Sequence, residues 1–317
     1  MEKIKNGAIY FAQIPTLITI ILGGGLVFWQ AVSGSLPPSV QIAFFLFFLF
    51  VTGIPHGALD HLIEQKTAEK RQNPFVLSLF LAKYLFTMVV YGFLWYIAPT
   101  FSLLFFLIIS AWHFGETDLE KVPLTLPWYV ARFLFGGLVL STLLLSHAEE
   151  VTPIWSRVVQ NEPFAVAFWH FASEHSKTII ICWSLILVVV LALAQQKAAA
   201  RFDIGRLIRL AIVLILTYLL PLLPAFGLYF GGWHALCSFK SIQEYLIQNN
   251  RSSFKTSILI WSKALPFTAG AFLFLGFAVW YWQHYLQAWD SIPLLFVFLS
   301  LITLPHLNVM HAVNRNN

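Results

Sequence analysis

The stretch FVLSLFLAKYLFTMVVYGFLWYI, residues 75–97, indicates the fold class. Lys83 is its one charged residue in 23. About 20 helical residues cross the hydrocarbon of a bilayer, where a helix satisfies its own backbone hydrogen bonds. The rest of the chain is similar, because 59% of the 317 residues are hydrophobic and 10% are charged, against about 25% charged in soluble domains. We therefore predict a single integral membrane domain over residues 1–317.

Ten apolar runs are candidate spans, which predicts an all-α polytopic bundle of about ten transmembrane helices. Prolines at 37–38, 99 and 221–224 interrupt the runs where a helix does not continue. Several runs are short, so the prediction covers eight to ten helices. The candidate spans are residues 9–29, 40–55, 75–97, 100–114, 126–146, 177–195, 207–221, 224–239, 258–282 and 291–311.

The positive charges predict the orientation of the chain. If the N-terminus is cytoplasmic, 17 of the 19 Lys and Arg residues lie in inner loops or near inner span ends, and Arg157 and Lys177 lie outside. Cytoplasmic loops of membrane proteins carry such an excess. We therefore predict a multi-pass protein of the cell inner (plasma) membrane with a cytoplasmic N-terminus. A count that merges residues 207–239 into one span would instead place Lys240, Arg251 and Lys255 outside.

The composition also narrows the class of ligand. The 53 aromatic residues, 31 of them Phe, would line any internal cavity with rings, which disfavours a nucleotide. The net charge of +5 is explained by loop lysines and arginines and does not indicate a nucleic-acid partner. An apolar ligand that partitions into membrane lipid fits better.

Six of the ten histidines occupy one predicted membrane depth. They lie on even-numbered spans, toward the inner side: His56, His61, His113, His234, His306 and His311. Histidines 147, 170, 175 and 284 belong to the outer side. Ionisable residues inside a membrane are costly and usually face the bundle interior or a cavity. A bundle that packs the even-numbered spans together would bring their imidazoles to one point.

This convergence favours a transition-metal site, since neutral imidazole suits iron, zinc and copper. The alternative is that each histidine forms a separate hydrogen bond across helices. His56 and His306 each follow a proline, which bends a helix and can turn the ring inward. His61 and His311 lie five residues further on, about 140° around a helix, so we expect them beside the site rather than among the ligands.

Carboxylates and tryptophans adjoin these histidines. Asp60 shares a helix face with His56, and Glu116 follows His113 by three residues. Either carboxylate could orient a ligating imidazole through its second nitrogen, and Glu116 could instead be a ligand. Solvated charge at a span end is an equally good explanation of both. Trp112 and Trp233 precede histidines directly, and we expect them to line a dry substrate pocket.

At these residues the sequence resembles the Brp/Blh family of membrane β-carotene 15,15'-dioxygenases, which are associated with bacterial and archaeal rhodopsin systems. Pro55-His56-Gly57-Ala58-Leu59-Asp60-His61 resembles the first motif of that family. The further motifs correspond to Trp112-His113-Phe114-Gly115, Trp233-His234 and Pro305-His306. Together they extend over most of the chain in the family's order.

The resemblance implies a non-haem Fe(II) enzyme that uses O2 to split the central double bond of β-carotene, or of a related polyene, into two molecules of retinal. It implies His56, His113 and His234 as iron ligands. Ser238 stands where the family pattern has a further histidine, so we choose His306 as the fourth ligand. An enzyme for a substrate dissolved in lipid would gain from a tunnel that opens sideways to the membrane, and the rhodopsin association suggests delivery of the retinal to a rhodopsin.

Two other functions fit the same residues. A haem-binding electron-transfer protein would use two of the inner histidines as axial ligands. A polyene-binding or transport protein would use them to pack or to carry protons. Diiron desaturases need closely spaced histidines, and the sequence contains no HxxxH or HxxHH pattern.

Overall fold

The computed structural model describes residues 2–200, 203–247, 254–286 and 291–316. Within these ranges the protein is helical and contains no β-strand. Eight helices of the described chain are long and apolar enough to cross a membrane. This confirms the prediction of an all-α polytopic membrane protein. The orientation of the chain and the membrane in which it lies stay predictions.

The helical segments follow one another with short connections, and three of them are π-helical. In chain order they are α1 (Glu2–Ser33), α2 (Pro38–Phe48), π1 (Leu49–Gly53), α3 (Ile54–Gly57), α4 (Asp60–Lys70), α5 (Leu77–Ile97), α6 (Pro99–Asp118), α7 (Leu126–Leu145), α8 (Ala148–Val158), α9 (Pro163–Glu174), α10 (Ser176–Lys197), α11 (Ile204–Leu219), α12 (Leu222–Phe226), π2 (Gly227–Ala235), α13 (Leu236–Leu246), α14 (Phe254–Tyr281), π3 (Trp282–Leu286) and α15 (Ser291–Asn316).

Two of the ten predicted spans do not correspond to any of the eight long apolar helices. The first corresponds to α11, which has 16 residues, and the second to the run α12–π2–α13. Pro221 precedes α12 and separates it from α11. The helical run that contains the second predicted span, residues 40–55, continues to Lys70. Its polar last part, α4, forms its own helical hydrogen bonds beyond the apolar stretch.

The helices fall into an interior group and a peripheral group. Eleven of the 20 residues of α6 are buried, whereas Tyr91 and Trp95 are the only buried residues among the 21 of α5. Apolar side chains also cover the exposed surfaces of α10 and α14. In a membrane protein such surfaces face lipid, where exposed hydrocarbon carries no penalty. The histidine-bearing segments α3, α6, π2 and α15 belong to the interior.

Glycines bring α6 and α7 into direct backbone contact. A Cβ atom at Gly115 would lie 1.8 Å from the carbonyl oxygen of Arg132, and one at Gly136 would lie 1.8 Å from that of Ala111. Neither position accepts a side chain without separating the helices. Small residues permit this close approach in membrane bundles, and it fixes the part of α6 that carries His113.

Candidate metal centre

The π1 segment and Pro55 turn His56 toward the interior. Because Pro55 has no N–H, the carbonyl of Val51 one turn earlier accepts a hydrogen bond from Trp261 Nε1 instead, at 2.9 Å. Nδ1 of His56 donates to the carbonyl oxygen of Gly53. The proton therefore lies on Nδ1, and Nε2 keeps a free lone pair.

The π2 segment carries His234 and is held by two threonines. Thr52 Oγ1 donates to the carbonyl of Gly231 at 2.9 Å, and Thr19 Oγ1 donates to that of Gly232 at 2.6 Å. A Cβ atom at Gly231 would lie 2.6 Å from Cβ of Phe48, so only glycine allows this approach. π-helical turns inside α-helices frequently occur at functional sites.

His306 is oriented by a carboxylate from another helix. Its Nδ1 lies 2.7 Å from Asp60 Oδ1, and Tyr84 donates to the second oxygen of Asp60 at 3.1 Å. The Nε2 atom of His306 is buried and has no hydrogen-bond partner among the described residues. A carboxylate on one nitrogen and an open lone pair on the other is the usual arrangement of a metal-ligating histidine.

The four imidazoles converge in the interior of the protein. His56, His113, His234 and His306 are between 0% and 5% exposed. Nε2 of His113 lies 3.1 Å from Nε2 of His234, and ring centroids of neighbouring pairs are 4.7 to 5.5 Å apart. Potential ligand atoms of His56, His113 and His306 all lie within 4.8 Å of one another. His234 joins this group through its contact with His113.

The donor set fits a transition-metal ion. Nitrogens bound to one ion at about 2.1 Å lie roughly 3 to 4 Å apart, and the His113–His234 pair already has this spacing. The unpartnered Nε2 of His306 provides a further buried lone pair. Burial of several imidazoles without partners would be costly, whereas ligation satisfies them together. We name these four residues the histidine cluster.

The two carboxylates near the cluster, Asp60 and Glu116, each lie beside a histidine of α15. Asp60 binds the ring of His306, not that of His56 on its own helical run. Glu116 Oε1 lies 3.3 Å from His311 Nδ1. His61 lies beside the cluster, with Nδ1 3.0 Å from the carbonyl of Ala58 and its ring against Phe267.

Trp112 and Trp233, which we expected to line the substrate pocket, are not among the residues that line the cavity beside the histidine cluster. Trp112 is half-buried against Tyr129, and Trp233 is fully buried with Nε1 donating to Asp118 at 2.8 Å. Each consecutive residue of a helix is rotated by about 100° from the previous one. A tryptophan next to an inward-facing histidine therefore faces another helix.

Tyr84 and Asp118 support the site but were not found from the sequence. Tyr84 forms the hydrogen bond to Asp60 already described, and Asp118 accepts from Tyr229 at 2.9 Å and from Trp233. Asp118 thus connects α6 to the π2 segment beside His234. Asp118 ends an apolar span and Tyr84 is a polar residue within one, but spacing alone assigns neither a partner.

An ion pair connects the segments around the cluster at their predicted cytoplasmic ends. Arg206 Nη1 lies 2.6 Å from Glu120 Oε2, and Ser241 donates to the other oxygen at 2.8 Å. Burial raises the pKa of the Glu120 carboxyl, but Arg206 and Ser241 outweigh it and hold the pKa below its ordinary value. The pair is therefore charged at neutral pH, and it joins the connection that follows α6 to α11 and α13.

Ser238 stands where the resemblance described above led us to expect a further histidine. Its side chain is fully buried and its Oγ lies 3.5 Å from Thr117 Oγ1. A hydroxyl in this place does not supply a fourth imidazole. His306 from α15 contacts the rings of His56 and His113 instead, with centroids 5.0 Å away in each case.

A cavity of about 510 Å³ extends from the histidine cluster into the bundle. Its wall is almost entirely hydrocarbon and aromatic and is formed mainly by α5, α6, α7, α8, α14 and α15. Trp155 and Val158 of α8 line the part toward the predicted outer side. Such a space accepts a long apolar molecule and excludes water from the imidazoles.

The fold and the site define a polytopic membrane protein with a buried histidine cluster on an apolar cavity. The family model described as beta-carotene 15,15'-dioxygenase matches residues 47–314, and the chain belongs to that family. A beta-carotene 15,15'-dioxygenase from an uncultured marine bacterium, 66A03, is 27% identical over 267 residues, which cover 83% of this chain and 90% of the relative. No solved structure matches the chain. The protein is thus an enzyme of the carotene dioxygenase type.

Proposed function

We propose that this protein cleaves the central double bond of β-carotene with O2 and forms two molecules of retinal. One O2 molecule supplies the oxygen atom of each of the two aldehydes, so the reaction needs no further reductant. The observation that carries the proposal is the convergence of four buried imidazoles on the wall of an apolar cavity. The name of the family and that of the marine relative support the same substrate.

The proposed cofactor is a non-haem Fe(II) ion held by His56, His113, His234 and His306. Iron would supply the redox chemistry through which O2 reacts with an alkene. The protein holds the imidazoles in place: Gly53 and Asp60 keep the Nδ1 protons of His56 and His306. Four neutral ligands leave coordination positions open and bring no competing charge into the cavity.

The cavity contributes positioning and exclusion of water. Phe226, Phe230 and Phe298 line it, as do aliphatic side chains from α6 and α15. An extended polyene gains contact area along such a wall, and the wall keeps water away from the reacting double bond. Asp60 is hydrogen-bonded to His306 and Tyr84, which fits a role in orienting His306 rather than general acid or base catalysis.

We further propose that the protein acts in the cell inner membrane and takes its substrate from the surrounding lipid. Eight apolar spans place it in a membrane, and a hydrocarbon substrate partitions into the same bilayer. The retinal formed would be available in that membrane to a rhodopsin.

Expression in a β-carotene-accumulating bacterium tests this function. The expected result is loss of orange colour with formation of retinal as the only cleavage product, and both should stop when iron is chelated. The His113→Ala variant in the same host is the matched control and should retain the colour. Pigment bound in fixed proportion without cleavage would instead favour a binding or transport protein, and a strong haem absorption band would favour electron transfer.

A further inference from the structure

We infer that the polyene enters the cavity from the bilayer through a lateral slot between α5 and α14, and that Gly270 keeps this slot open. The lateral slot is formed by Leu85 and Met88 of α5 and by Phe267, Gly270 and Phe274 of α14. The inference rests on the proposed function, because it concerns the path of the apolar substrate to the histidine cluster.

The exposed part of the cavity wall locates the slot. Most residues that line the cavity are buried or half-buried, and the exposed ones of the described chain are Leu85, Pro266, Gly270 and Phe274. Leu85 is 57% exposed and Phe274 is 51% exposed. All four belong to α5 or α14. The cavity therefore reaches the lipid-facing surface of the bundle between these two helices.

The packing of the neighbouring helices explains why a gap exists there. Helix α5 packs on α6 and α15, whereas α14 packs on α3 and α15. Helix α15 lies behind both, so α5 and α14 form two sides of the slot without closing on each other. Pro266 lies inside α14 at the level of the slot. Because proline removes a backbone donor and bends a helix, it adapts α14 to this opening.

Gly270 is placed where a side chain would obstruct the slot. A Cβ atom at this position meets no other atom within 4 Å, so packing between helices does not require glycine here. Glycine in a helix interior costs about 1 kcal/mol relative to alanine. The residue lines the cavity and is exposed. Absence of a side chain at this point leaves room for a substrate.

The walls of the slot identify the chemical class that passes. Leu85, Met88, Phe267 and Phe274 present hydrocarbon, thioether and aromatic surface, with no charged group among them. A hydrocarbon polyene crosses such an opening without loss of hydrogen bonds, whereas a polar molecule would lose its hydration. Entry from lipid also spares the substrate any transfer through water.

A graded series at Gly270 tests the entrance. Gly270→Ala, Gly270→Leu and Gly270→Trp should form retinal progressively more slowly in membranes that contain β-carotene, with a loss of at least about tenfold for Trp. Iron content should stay as in the unsubstituted protein and thermal stability should not fall, because each new side chain enters open space and replaces a glycine in a helix interior. Binding of β-carotene to the chelator-treated protein, followed by its absorption spectrum, should slow in the same order.

Gly276 provides the matched control. It lies on the same helix, is exposed, and its Cβ atom would also meet nothing within 4 Å, but it does not line the cavity. Gly276→Trp should form retinal within about twofold of the unsubstituted rate. Equal rates of retinal formation in Gly270→Trp and the unsubstituted protein would overturn the proposed entrance. Equal losses of this rate in Gly270→Trp and Gly276→Trp would also overturn it. If the unsubstituted protein itself formed no retinal, the proposed function would fail instead.

Discussion

His147 and His306 are both almost completely buried, the first at the α7–α8 junction and the second in the histidine cluster. His147 places Nδ1 2.7 Å from the carbonyl of Leu143 and Nε2 2.8 Å from that of Leu220. His306 places Nδ1 on Asp60, and its Nε2 has no hydrogen-bond partner among the described residues. Both ring nitrogens of His147 thus lie against backbone carbonyls, whereas Nε2 of His306 has a lone pair available for a metal ion. Burial alone does not distinguish a ligand from a cross-link, but the use of the second nitrogen does.

The largest expected effect is the loss of iron and activity on substitution of His306, which substitution of His147 should not cause. His306→Ala should lose iron and retinal formation together, because it removes a ligand. His147→Ala should keep its iron per folded protein but lose about 1 to 3 kcal/mol of stability, since it removes the hydrogen bond of a buried ring to a carbonyl oxygen. Metal analysis and thermal unfolding of the purified proteins measure both effects.

Three further substitutions complete this comparison. Alanine at His170, His175 and His284, which we assign to the predicted outer side, should leave metal content nearly unchanged. His175 is exposed, with Nδ1 2.9 Å from the carbonyl of Phe171. If His306→Ala kept a full complement of iron, His306 would not be a ligand.

The next effect concerns the carboxylate behind the ligand. Asp60→Asn should weaken iron binding by about 10- to 100-fold, because carboxylates on the second nitrogen fix a ring and raise its basicity. Glu116→Gln should have a smaller effect, since its partner His311 is 43% exposed and lies 3.3 Å away. Iron titration of the two apoproteins compares them. A larger loss for Glu116→Gln would favour Glu116 as the carboxylate that supports the site.

A smaller effect on iron binding is expected at Tyr84, which contacts Asp60 and not the histidine cluster itself. Tyr84→Phe removes the hydrogen bond to Asp60, so iron should bind about two- to tenfold more weakly. Tyr91→Phe on the same helix removes a bond of 2.9 Å to the carbonyl of Ser102, and Tyr91 does not line the cavity. It should lower stability to a similar degree without changing iron affinity. Equal iron affinities in the two variants would show that Tyr84 does not act through Asp60.

The smallest effect is expected at the tryptophan that lies outside the cavity. Trp112→Phe should leave KM for β-carotene unchanged, because Trp112 packs on Tyr129. Phe230→Ala should raise KM, since Phe230 lines the cavity and lies against His56 and His234. Rates of retinal formation at varied β-carotene content of the membrane give both values. A raised KM for Trp112→Phe would place this indole in the substrate path after all.

Much of the fold could be predicted from the sequence, because hydrophobicity over about 20 residues is a local property. The meeting of four histidines could also be predicted, since span direction assigns each residue a depth. The partner of Asp60 could not, because His306 lies 246 positions away and only the packing of α4 against α15 joins them. The π-helical segments were missed for a related reason, as their freed carbonyls are satisfied by Thr19, Thr52 and Trp261 from other parts of the chain.

The hydrogen bond from Thr19 to the carbonyl of Gly232 bears on attempts to shorten the protein. The family match begins at residue 47, and a chain truncated there would keep all four residues of the histidine cluster. Such a truncation would remove α1, which packs on α11 and π2 and carries Thr19. The backbone beside His234 would lose a donor and a packing surface at once. A minimal active fragment must therefore include the first helix, although no ligand comes from it.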